Sequence, residues 1–275
     1  MKPKTEELLR THNLTKVYKR RKVVDGVSIE VHKGEIVGLL GANGAGKTTS
    51  FRMVVGMIQP DRGQVMFAGQ DVTKLPMYRR ARRGMGYLSQ EPSVFRNMTA
   101  LDNILAVLEA RRMPKRERVE RAHELLEDLQ LSRLRDSLAV NLSGGERRRL
   151  EISRALATEP SLLLLDEPFA GVDPITVEEI QKILAQLRKR GIAILITDHA
   201  VVETLRISDR AYILHQGQVI SEGDPTRIIS DPKVREVYLG QSFGEGITEE
   251  EEKGLELDDE LDELGGAADA GSGAN

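Results

Sequence analysis

The chain has no cysteine and no tryptophan, and only five Phe and five Tyr in 275 residues. Without cysteine neither a disulfide scaffold nor a thiolate metal site is possible, and the composition is compatible with a reducing compartment. Long apolar runs are also missing. No window approaches 18 uninterrupted apolar residues, and Met1-Lys2-Pro3-Lys4 leads into charge rather than an apolar signal core. The chain is therefore expected to be neither secreted nor membrane-spanning, and any channel it serves must be another polypeptide. At 40% apolar and 30% charged residues, it can bury one substantial α/β core.

The net charge of −3 conceals a split. Residues 244–275 hold 12 Asp/Glu and one Lys, a balance of −11, so the remainder carries +8. The basic part is clustered at Arg79-Arg80-Ala81-Arg82-Arg83, from Arg111-Arg112 to Arg121, and at Arg147-Arg148-Arg149. Such runs read first as solvated helix faces, and second as a surface for anionic lipid or acidic partner loops. The acidic stretch, ending in Gly, Ala and Ser, is expected to remain disordered. Leu257, Leu261 and Leu264 are spaced for a short amphipathic helix that could dock on the basic part.

Gly41-Ala42-Asn43-Gly44-Ala45-Gly46-Lys47-Thr48 fits G-x-x-x-x-G-K-[ST] and follows the apolar run Ile36–Leu40. Strand, Gly-rich loop and helix is the context this phosphate-binding motif requires. The glycines let backbone N–H groups face the phosphates, and the following helix adds the positive end of its dipole. Gly41, Asn43, Gly44, Gly46, Lys47, Thr48 and Thr49 are the nucleotide-binding candidates, with Lys47 for the β and γ phosphates of ATP and the Thr48 hydroxyl for Mg²⁺.

Leu162–Leu165 followed by Asp166-Glu167 reads as a short strand buried on both faces of a parallel sheet. Burial explains the leucines, worth about 1.5–3 kcal/mol each. It does not explain two carboxylates at the carboxyl end of the strand, where open α/β sheets bind ligands. Asp166 is the candidate Mg²⁺ ligand and Glu167 the candidate base that polarises the attacking water. Leu142-Ser143-Gly144-Gly145-Glu146 opens a further helix, which makes a second anion-binding N-terminus.

Together these elements resemble the nucleotide-binding subunit of an ATP-binding-cassette transporter, from about Leu8 to Leu239. The resemblance implies an α/β P-loop ATPase with a mainly parallel core sheet, an antiparallel β edge layer and a helical signature subdomain at about 91–157. It implies a homodimer in which Ser143 and Gly145 reach the γ phosphate held by the Lys47 loop of the other copy. By position it also implies Tyr18 stacked on adenine, Gln90 sensing Mg²⁺ and the γ phosphate, Asp173 in a loop crossing between subunits, and His199 as the switch on the γ phosphate. Within this class the segments 34–41, 80–88, 143–149, 166–174, 196–199 and 237–240 are similar to the lipopolysaccharide-export ATPases of Gram-negative bacteria. That likeness implies two separate multi-span membrane subunits meeting Phe95 and Arg96, no nucleic-acid partner, and a place on the cytoplasmic face of the inner membrane. The branched-chain amino-acid importer ATPases share the general motifs, and soluble iron–sulfur assembly cassettes remain a second alternative.

The pattern of apolar residues places the antiparallel layer in Leu8–Val31 and Gln64–Gly69. The parallel strands fall at Ile36–Gly41, Met85–Ser89, Leu162–Asp166 and Ile192–Thr197. Helices are expected over Leu101–Ala110, Lys115–Leu131, Glu146–Ala157 and after His199. A hairpin is expected over Arg210–His215 and Gln218–Ser221, followed by a closing helix near Lys233–Leu239.

Overall fold

The computed structural model describes residues 6–240; the acidic stretch and its Leu257-Leu261-Leu264 spacing lie outside the described residues. The chain divides into two compact units, with the boundary between Ile228 and Ile229.

The first unit is built on two sheets. One is antiparallel, with β1 (Glu7–Tyr18) at its centre, paired with β2 (Arg21–Val27), β3 (Glu30–His32) and, through β5 (Arg62–Phe67), β6 (Gln70–Asp71). The other contains β4 (Ile36–Gly41), β7 (Met85–Leu88), β8 (Leu162–Asp166), β9 (Ala193–Thr197), β10 (Arg210–His215) and β11 (Gln218–Gly223). Its order is β11-β10-β4-β9-β8-β7, and every pairing is parallel except the β10–β11 hairpin.

The leucine run is explained by what covers each face. Leu163 and Leu165 point into one buried cluster together with Ile36, Ile194 and Ile196, while Leu162 and Leu164 point into another with Val37, Leu39 and Leu195. Alternation by two along each strand sends neighbours to opposite sides, so a strand buried on both faces has no polar positions to show. The first cluster is covered by α3 (Ala100–Ala110), α4 (Lys115–Asp128), α5 (Gly144–Leu156) and α6 (Pro174–Lys189). The second is covered by α1 (Lys47–Val55) and the antiparallel sheet. Shorter helices α2 (Met77–Ala81) and α7 (Val201–Ile207) belong to this unit, and the boundary falls within the short helix α8 (Pro225–Ser230).

The helices differ from the sequence reading in four places. α4 ends at Asp128 rather than Leu131, because Gln130 adopts a left-handed φ of 56° and the Leu131 N–H turns back to Leu126 O at 2.6 Å. α5 begins at Gly144 rather than Glu146, since Ser143 is its cap. The 16-residue helix α6, absent from the sequence reading, begins where Asp173 caps and Pro174 sets the first turn. In the second unit the expected closing helix is two short turns, Pro232–Val234 and Arg235–Leu239, the first capped by Asp231.

Candidate nucleotide site

The parallel sheet brings the ends of β4, β7, β8 and β9 together, and the chemistry lies there. Gly41 ends β4 and α1 begins at Lys47, so the loop between them occupies the position where a ligand meets a helix N-terminus. Gly46 has a φ of 106°, and a Cβ there would lie 2.7 Å from the Val23 carbonyl oxygen on β2. The β1–β2 hairpin thus presses on the loop, and the same hairpin presents Tyr18 at its turn, 44% exposed, with Lys16 Nζ 5.7 Å from the ring centroid. An exposed ring on a backbone that rests against the loop is available for stacking.

Lys47 is buried and donates to the carbonyls of Gly41 and Ala42. Burial lowers its pKa, while the charges of Glu167, Asp198 and Asp166 pull it back upward. The ammonium thus faces the carboxylates at the end of β8 and beyond β9. Asp166 is 3% exposed, and its pKa is raised, first by burial and then by Glu167. Tyr87 on β7 donates weakly to Asp166 Oδ2 at 3.4 Å, and burial pushes the phenol up to about 12. A desolvated carboxylate beside a second carboxylate, with the Thr48 hydroxyl and the Gln90 amide oxygen as further hard donors, is a set that fits Mg²⁺.

Glu167 sits one residue past β8 with a left-handed φ of 49°, and its N–H donates to Thr197 O at 2.7 Å. This turn aims its side chain away from the strand. Gln90 Nε2 donates to Glu167 Oε2 at 2.7 Å, and His199 Nδ1 lies 3.5 Å from the same oxygen and 3.4 Å from Asp198 Oδ1. Asp198 is fully buried and accepts the N–H groups of Phe169 and Ala200, which fixes the loop that carries His199. Three candidates from three different strand ends therefore converge, with Gln90 and His199 exposed and Glu167 between them.

Ser143 and Gly145 are held elsewhere. The Ser143 hydroxyl accepts Glu146 N–H at 3.2 Å, and Glu146 Oε2 accepts Ser143 N–H at 2.7 Å, a reciprocal capping box. A hydroxyl that accepts in the cap still has its hydrogen to donate. Gly145 packs on the first turn of α6, where a Cβ would lie 2.5 Å from Thr176 Cγ2. Asp173 is occupied in capping α6 through Thr176 N–H and the Thr176 hydroxyl, at 3.0 and 2.7 Å.

The sequence reading missed several residues that hold these parts. Arg148, within a run taken as a solvated face, is buried and donates to the carbonyls of Ser89, Asp166, Glu167 and Pro168 as well as to Glu151. Arg80, within another such run, is 1% exposed and donates to four carbonyls. Asn103, fully buried, accepts Phe95 N–H at 2.8 Å and donates to Phe95 O at 3.0 Å. Phe95 itself is 46% exposed, under the guanidinium of Arg154 at 4.5 Å from its centroid. The one sequence signal that could have found any of these contacts is the i, i+3 spacing of Arg148 and Glu151.

The chain is similar to known proteins over most of its length. The model of the ABC transporter family matches residues 24–170, and that of the branched-chain amino acid ATP-binding cassette transporters matches residues 218–244. The lipopolysaccharide export system ATP-binding protein of Acidithiobacillus ferridurans is 59% identical over 237 residues, covering 86% of this chain and 98% of that protein. A solved ATP-binding cassette of an ABC transporter in its ADP conformation superposes with a TM-score of 0.79 at 35% identity, covering 86% of this chain and all of that one. A dimeric ATP-binding cassette in a post-hydrolysis state bound to ADP and phosphate gives a TM-score of 0.71 at 27% identity, covering 79% of this chain and 99% of that one. The matched span contains the phosphate loop at the end of β4, the paired carboxylates at the end of β8 and the capped helix α5, and the chain belongs to the ATP-binding-cassette transporter ATPases.

Proposed function

We propose that the chain is the ATP-hydrolysing subunit of a lipopolysaccharide export system, acting as a homodimer at the cytoplasmic face of the inner membrane. The cargo rests on the likeness to an export ATP-binding protein over 98% of that protein's length. The chemistry rests on one observation, the convergence of Gln90 and His199 on a single carboxylate oxygen of Glu167.

In this reading Lys47 exchanges the carbonyls of Gly41 and Ala42 for the β and γ phosphates of ATP, and Tyr18 stacks on adenine. Thr48, Asp166 and Gln90 would hold Mg²⁺, which when bound neutralises charge on the phosphate oxygens. Glu167 takes up a proton from the attacking water while Gln90 and His199 hold its carboxylate in place. Asn43, Gly44 and Thr49 line the loop, and Ser143 with Gly145 of a second copy closes the site from the other side. Phe95 and Arg96 meet two multi-span membrane subunits. Among the described residues no helix is long and apolar enough to cross a membrane, so the translocation path belongs to those partners.

Co-purification from membrane extract, followed by glycolipid extraction from proteoliposomes, tests the assignment. Recovery with two different multi-span proteins and ATP-dependent glycolipid release is expected. Recovery only with soluble partners would overturn it, and an amino-acid cargo would favour the importer reading that the match at 218–244 raises.

A further inference from the structure

Three side chains on one face of α5 hold the segment that follows β7. Arg148 donates to Ser89 O at 3.0 Å, Glu151 accepts Ser93 N–H on Oε1 at 2.7 Å, and Arg154 donates to Ser93 O. Their spacing of three residues places them along a single stripe. The second oxygen of Glu151 accepts from Arg148 at 2.9 Å, and that same guanidinium holds the carbonyls of Asp166, Glu167 and Pro168. Glu151 is only 4% exposed.

A buried carboxylate is costly unless its oxygens are satisfied, and apolar side chains would fill the position at less expense in desolvation. Nothing in the nucleotide chemistry requires it, since both of its contacts run to Ser93 and Arg148. What the charge supplies is direction. Apolar contacts let one element slide past another, whereas charge-assisted hydrogen bonds fix a separation and an angle. From the other side Asn103 of α3 clasps both polar groups of the Phe95 backbone. Residues 93–95 are therefore bonded to the helical layer, while Gln90, three residues earlier, is bonded to Glu167.

We propose that Glu151 is the positioning residue that ties the 93–96 segment to the signature helix. Displacement of α5 by nucleotide at Ser143 is thereby carried to Phe95 rather than lost in the loop. This rests on the reading that Phe95 and Arg96 meet membrane subunits.

The test uses the complex purified with its membrane subunits, measuring glycolipid released per ATP hydrolysed, and the full chain alone, measuring its own ATPase. Glu151→Leu removes the acceptor for Ser93 while leaving Arg148 its four carbonyls. We expect release per ATP to fall about tenfold, within the range of coupling residues, while kcat and KM of the chain alone stay within about twofold. Glu151→Gln keeps an acceptor for Ser93 but removes the charge from both contacts, so its expected loss is intermediate, about threefold, and it also serves if the leucine variant does not fold. Unchanged release per ATP in whichever variant folds, or an equal fall in the ATPase of the chain alone, overturns the proposal. A wild-type ATPase indifferent to the membrane subunits would overturn the membrane reading itself, and this inference with it.

Discussion

Gln90 and Glu167 are joined by a 2.7 Å hydrogen bond from amide to carboxylate, across the gap between the ends of β7 and β8. The bond engages Oε2 of the carboxylate, the same oxygen that His199 Nδ1 approaches. Replacing Glu167 with Gln preserves the shape of the site and removes the proposed proton acceptor. Hydrolysis should slow by about 10²–10⁴, the usual contribution of a positioned base. ATP binding should survive, and a closed dimer should accumulate, visible by size exclusion in the presence of ATP. Turnover at the wild-type rate would remove Glu167 from this role.

Gly145 illustrates a constraint of a different kind. The loop reading requires a glycine for contact with phosphate, but the structure adds Thr176, whose Cγ2 would lie 2.5 Å from a Cβ at this position. Gly145→Ala should therefore destabilise the chain by about 1–3 kcal/mol through overpacking, independently of nucleotide. Thr176→Ala in the same chain removes the collision and should restore much of the melting temperature lost. A double variant no more stable than Gly145→Ala would show that the collision is not the cause.

Much of this was legible in the sequence because it depends on local chemistry. A phosphate loop needs glycines and a lysine in order, and a strand buried on both faces needs unbroken apolar residues, so β4 and β8 were found with their bounds intact. The strand end pointed to Glu167, whereas Gln90 and His199 came from the family resemblance; the structure brings the three side chains together. Arg148, Arg80 and Asn103 were not visible in the same way. Each is a polar residue whose partners are backbone carbonyls or amides, many of them distant in sequence, and a carbonyl has no identity that a sequence can show. α6 was lost for a related reason: its cap, Asp173, had been read only as part of an intersubunit loop.

Arg80 offers a direct test of that kind of hidden role. Its guanidinium donates to Met53 O and Val54 O, the last-turn carbonyls of α1, and to Thr73 O and Leu75 O, at 2.6–2.9 Å. A cation at a helix C-terminus is favourable, and here it bonds two last-turn carbonyls, of which Met53 O also accepts Gly56 N–H. With no carboxylate bonded to it, burial lowers its pKa to about 10. Arg80→Met should cost about 3 kcal/mol, since several buried acceptors lose their donor. The urea midpoint should fall accordingly, with Arg80→Lys in between because an ammonium has fewer donors and no planar fork. A midpoint unchanged in Arg80→Met would mean that water replaces the guanidinium at no cost.

Asp128 and Arg190 set the expected response to acid. Asp128 ends α4 and Arg190 caps the end of α6, and both guanidinium nitrogens reach the carboxylate, at 2.7 and 2.9 Å. That hydrogen bonding holds the Asp128 carboxyl below its ordinary range, against a smaller opposing effect of burial. The folded chain thus binds this proton less readily than the unfolded chain. The stabilisation is complete above the ordinary carboxyl range, near pH 4, and is lost as pH falls through that value towards the lower folded one. Asp128→Asn removes the charge at every pH. The gap in melting temperature between wild type and Asp128→Asn should therefore stay level from about pH 6 to 8 and close below about pH 4. Because Arg190 is 53% exposed, added salt should narrow the gap at neutral pH as well. A gap that persists undiminished at pH 3 would mean that the pair acts through packing and not through charge.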